Sequence, residues 1–105
     1  MQDGSTDTRP RLLIVDDEPK NLRLLANIFV DEYHLSLATS GAKALELLDL
    51  TPDVELVLLD VMMPEMDGLA VFERIRAHPD RQDLPVIFVT ARNDTALEMR
   101  ALGSG

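Results

Sequence analysis

In Val57-Leu58-Leu59-Asp60-Val61-Met62-Met63-Pro64 an apolar run stops at a single carboxylate, and a turn follows at once. A run this short and this apolar reads as a strand buried on both faces, so its terminal Asp60 emerges where the strand leaves the core. Two further runs have the same form. Leu12-Leu13-Ile14-Val15 ends at Asp16-Asp17, and Val86-Ile87-Phe88-Val89 ends at Thr90-Ala91. Parallel strands line up their carboxyl ends along one edge of a sheet, which brings Asp16, Asp17, Asp60 and Thr90 to one site.

With 105 residues, 46% of them hydrophobic, the chain has room for one domain and an ordinary core. Nineteen acidic residues against ten basic ones leave a net charge of −9. That balance argues against direct nucleic-acid binding, which uses clustered Lys and Arg, and favours recruitment of a cation. Cysteine is absent, so no disulfide framework, thiolate metal site or thiol nucleophile is available. No apolar run approaches the roughly 18 residues that span a bilayer, and residues 1–9 lack the apolar stretch of a signal peptide. The expectation is a cytoplasmic protein with no membrane contact.

Along the chain, residues 1–10 are polar and aperiodic and read as a flexible leader to a domain over 11–105. After the first strand, Asp16-Asp17-Glu18-Pro19 opens a helix in which Leu22, Leu25, Ile28 and Phe29 recur at core spacing. His34 to Ala38 is a second strand, and Ala42 to Leu50 a second helix striped by Ala44, Leu45 and Leu48. Asp67-Gly68 is a turn signal, and Leu69 to Ala77 a third helix with Val71, Phe72 and Ile75 inward. His78-Pro79 stops it. A polar connector leads to the fourth strand, Val86 to Thr90, and a short helix over Asp94 to Leu102 follows. Strands separated by helices of this length make βα units, hence a parallel sheet with helices on both faces.

Carboxylates crowded at one site repel one another unless a cation sits among them. Oxygen ligands without a His or Cys cluster suit Mg²⁺ rather than zinc. With a metal bound, one carboxylate oxygen can attack a phosphoryl group while charge on the transferring oxygens is neutralised. Thr90 stands where a hydroxyl would reach such a group, and the small Ala91 leaves room.

These motifs, Leu13-Ile14-Val15-Asp16-Asp17-Glu18, Leu58 through Gly68, and Pro85-Val86-Ile87-Phe88-Val89-Thr90-Ala91, resemble the receiver domain of bacterial two-component response regulators. The resemblance covers about residues 11–103. It implies an α/β fold with a doubly wound parallel sheet, the flavodoxin-like receiver fold, with strands in the order 2-1-3-4 and a fifth beyond. It also implies that Asp60 is the phosphoacceptor, loaded from a phosphohistidine of a sensor histidine kinase or phosphotransfer protein. Asp16 and Asp17 would hold Mg²⁺ with Asp60 and the backbone carbonyl of Met62, and Thr90 would be the switch hydroxyl. The family's lysine at the end of a fifth strand has no counterpart, since Lys20 and Lys43 lie in other segments. The resemblance therefore reads the chain as C-terminally truncated, lacking the fifth strand and helix, with phosphorylation impaired. The uncovered fourth strand would then support a homodimer that substitutions at Ile87 or Phe88 weaken.

Plainer readings exist for each residue. Asp17 suits a helix cap, Asp60 a turn, and Thr90 a strand end. Met62, Met63 and Met66 fit gap-filling packing, His34 and His78 are isolated surface residues, and Arg74, Arg76 and Arg81 fit a solvated face. Two other functions compete with the phosphoacceptor switch. A receiver-like interaction module would keep the fold without phosphorylation. A Mg²⁺-dependent aspartate-nucleophile phosphohydrolase would need a second Asp where Met62 stands.

Overall fold

The computed structural model describes residues 8–61, 63 and 67–89. Strand β1 (Arg11–Val15) leads into helix α1 (Pro19–Phe29), β2 (His34–Ala38), α2 (Gly41–Leu50), β3 (Val54–Asp60), α3 (Gly68–Ala77) and β4 (Val86–Val89). A single 3₁₀ turn, Pro79–Arg81, follows α3. The strands form one parallel sheet in the order β2-β1-β3-β4, as the sequence pattern and the resemblance implied. The expected strand position Thr90 and the helix over 94–102 lie outside the described residues.

Local chemistry accounts for the element boundaries. Pro19 opens α1, where the missing proline N–H costs nothing. The Ser40 hydroxyl caps α2 by accepting from Lys43 N at 3.1 Å, and the Asp67 carboxylate caps α3 by accepting from Ala70 N at 2.9 Å. Asp67-Gly68, expected as a turn, is thus the capped start of a helix. His78 ends α3 and its Nδ1 accepts from Asp80 N, so this histidine caps the 3₁₀ turn. Arg9 donates to Val30 O and Pro10 O accepts from His34 N, which ties the last residues of the expected leader to the folded unit.

The sheet is covered on two faces by unequal layers. Leu13, Val15, Val57 and Leu59 meet α2 and α3 through Ala44, Leu48, Val71 and Ile75, with Met63 and Phe88 in the same cluster. On the other face Leu12, Ile14 and Leu58 meet Leu22 of α1, flanked by Leu25 and Phe29. Ile28, expected in the core, is 64% exposed. Leu24, Leu25, Ile28 and Phe29 span more of the helix than one sheet face can cover, and docking on Leu12 and Ile14 selects the side carrying Leu22, Leu25 and Phe29. Arg76 and Arg81 are likewise not free on a solvated face. The Arg76 guanidinium lies 4.8 Å from the Phe72 ring centroid and donates to Arg81 O, while Arg81 donates to Asp49 at 2.8 Å.

Candidate functional site

β1 and β3 are hydrogen-bonded neighbours, with Val15 opposite Leu59, so the residues that follow each strand emerge side by side. Asp16 comes directly after β1, and its N–H donates to Ala38 O of β2 at 3.0 Å, extending the ladder by one residue. Asp60 is the last residue of β3 and lies opposite Val89 of β4. Val61 N continues that pairing by donating to Val89 O. Both carboxylates are therefore carried on backbone that is still part of the sheet. Loop flexibility does not enter their placement.

Asp16 and Asp60 are buried, at 5% and 7% exposure, and Asp17 is half-buried. One carboxylate oxygen from each of Asp16, Asp17 and Asp60 can be chosen so that all lie within 4.8 Å of one another. Three carboxylates at this spacing, two of them shielded from water, are an arrangement that a cation among them would stabilise. The donor set is entirely hard oxygen, which fits Mg²⁺ and its preference for a few carboxylates supplemented by water. The amino end of α1 begins just beyond, and its partial positive charge also favours anions there.

The structure brings these three expected residues together, and one of them has a further contact that the sequence does not signal. Asp16, not Asp17, supports the entry to α1, because its Oδ1 accepts from Glu18 N at 2.9 Å. Sequence reasoning also passed over Gly68 as an ordinary turn residue, although it is buried against the peptide of Asp60. Met62 and Thr90, the other expected site residues, lie outside the described residues. A cavity of about 220 Å³ occupies the opposite end of the sheet, with Leu48, Val54 and Leu84 among its walls. The acidic cluster is separate from it, at the carboxyl ends of β1 and β3.

The family model described as the response regulator receiver domain matches residues 12–105. The chain belongs to the receiver domain family. It is thereby a phosphoacceptor signalling switch of the two-component type. Among curated relatives, the receiver domain is 41% identical over 94 residues to a probable cyclic di-GMP phosphodiesterase of Vibrio cholerae serotype O1, covering 90% of this chain and 20% of that protein. The chain spans about a fifth of that relative's length. Among solved structures, it superposes on the N-terminal domain of a response regulator receiver protein from Methanoculleus marisnigri with a TM-score of 0.77 and 39% identity, covering 90% of this chain and 76% of that one. It also matches a chain of the CheX-CheY-BeF3-Mg complex of Borrelia burgdorferi, with a TM-score of 0.81, 26% identity, and coverage of 98% and 78%. Among the described residues, no helix is long and apolar enough to cross a membrane.

Proposed function

We propose that Asp60 is the residue that accepts the phosphoryl group and that Asp16 and Asp17 hold Mg²⁺ together with it. The observation that carries this reading is the meeting of three carboxylates from two strand ends within 4.8 Å. Asp60 is the member read as nucleophile, since it is the last residue of β3, an interior strand of the sheet. An Asp60 carboxylate oxygen attacks the phosphorus of a phosphohistidine, an O–P bond forms, and the N–P bond breaks with its electron pair returning to the imidazole. Mg²⁺, when bound, offsets negative charge on the transferring phosphoryl oxygens. In this reading the Met62 carbonyl is a further metal ligand and the Thr90 hydroxyl hydrogen-bonds the phosphoryl group. The donor is a sensor histidine kinase or phosphotransfer protein, and the setting is the cytoplasm. That the Borrelia burgdorferi match comes from a CheX-CheY complex containing beryllofluoride and Mg²⁺ supports the choice of metal.

The test is exposure to beryllofluoride or acetyl phosphate with Mg²⁺, read by intact mass and by amide spectra. An adduct that forms on the parent and disappears in Asp60→Asn is expected. Turnover of small phosphate esters would instead indicate a phosphohydrolase, and absence of any response an interaction module.

A further inference from the structure

Gly68 is the first residue of α3, and its N–H donates to Val61 O at 3.1 Å. A Cβ built at this position would collide with the carbonyl oxygen of Asp60 and stand 2.9 Å from Val61 Cα and 3.0 Å from the Asp60 carbonyl carbon. All three are backbone atoms, which cannot swing aside as the tip of a side chain can. The amino end of α3 therefore lies flush on the Asp60–Val61 peptide only because Gly68 has no side chain. α3 is itself held in place by Val71 and Ile75, both fully buried. On its other side the same peptide is fixed by β4 through Val61 N to Val89 O.

We infer that Gly68 is a positioning residue for the acidic site: by admitting α3 against the Asp60 peptide, it sets where the Asp60 carboxylate stands relative to Asp16 and Asp17. The inference rests on the reading of that cluster as a Mg²⁺ and phosphoryl site. Groups that hold a ligand in place from behind typically change metal affinity 10- to 100-fold when disturbed. A misplacement of about 1 Å costs on the order of 100-fold in a reaction that depends on alignment.

Gly68→Ala is compared with Asp67→Ala, which removes the cap of the same helix without adding an atom against Asp60. Mg²⁺ affinity is measured by calorimetric titration, at a temperature where far-UV circular dichroism reports both variants folded. Gly68→Ala should weaken Mg²⁺ binding about 10-fold or more. Asp67→Ala should lower the melting temperature yet bind Mg²⁺ within about twofold of the parent, since it leaves the Asp60 peptide untouched. Parent-like affinity in Gly68→Ala, or equal weakening in both variants, overturns the inference while leaving the acidic site intact. A parent that binds no Mg²⁺ overturns both. Should Gly68→Ala not fold, the parent still decides: its Gly68 amide should shift with Mg²⁺ at the same midpoint as Val61, and not in Asp60→Asn. A Gly68 amide that stays still overturns the inference.

Discussion

Asp16 and Asp17 are adjacent in sequence and equivalent in charge, yet they differ in what else they hold. Because the Asp16 carboxylate also accepts from Glu18 N, Asp16→Ala should cost about 1 kcal/mol of stability in the metal-free protein, the usual value of a helix-entry acceptor. Asp17→Ala removes a charge from a crowded anionic cluster and should leave metal-free stability unchanged or raised. A ligand that binds only the folded state raises the melting temperature, so Mg²⁺ should stabilise the parent and lose most of that effect in both variants. Melting curves in chelator and in Mg²⁺ separate the two roles. An Asp17→Ala protein that is stabilised by Mg²⁺ as strongly as the parent would remove Asp17 from the site. Motif spacing alone makes the residues of this cluster legible, because strand ends in a parallel sheet converge. Spacing does not distinguish the residue that also braces α1, since that depends on which side chain turns back toward Glu18.

α1 and α3 show where reading elements from sequence works and where it stops. Among the described residues, the three helices and four strands are legible from apolar periodicity and turn chemistry, and their bounds shift by only a residue or a few. The inward face of α1 is legible at Leu22, Leu25 and Phe29 but not at Ile28, because more apolar residues compete for the contact than the sheet can cover. Leu22→Ala should cost about 2–5 kcal/mol, whereas Ile28→Ser should fall within about 0.5 kcal/mol of the parent. Equal losses in urea denaturation would contradict this orientation. In α3, Phe72 meets Phe88 edge to face at 5.5 Å between ring centroids, with Arg76 on the Phe72 ring. The charge of Arg76 suggests solvation, since sequence carries no sign of a ring brought near by tertiary packing. Its aliphatic stem and guanidinium instead cover Phe72, an arrangement typical of arginine.

At the level of the whole molecule, the strand order places the acidic cluster at the carboxyl end of β1 and β3, where connections leave the sheet in opposite directions. Among the described strands β4 is an edge, and the proposed homodimer would use it. Phe88 is 3% exposed, so a substitution there would dismantle the core rather than test association; Ile87, at 37%, is the informative position. Ile87→Lys should lower the sedimentation-measured dimer fraction without loss of fold, and a parent that is monomeric at high concentration would rule the contact out. The unequal layers on the two faces have a consequence in time. Among the described residues, the α1 side rests on a small cluster, while the opposite side shares one large cluster with α2 and α3. Opening of α1 should therefore be the lowest-energy excursion of the native state, and its amides should exchange with deuterium before those of β1, β3 and α3. Since Asp16 and Asp17 stand at the junction of β1 and α1, a cation bridging them to Asp60 fastens the loosest layer to the most rigid strand. Mg²⁺ should then slow exchange throughout α1, far from any ligand atom, and the domain would carry its occupancy as a change in how often one helix lifts away.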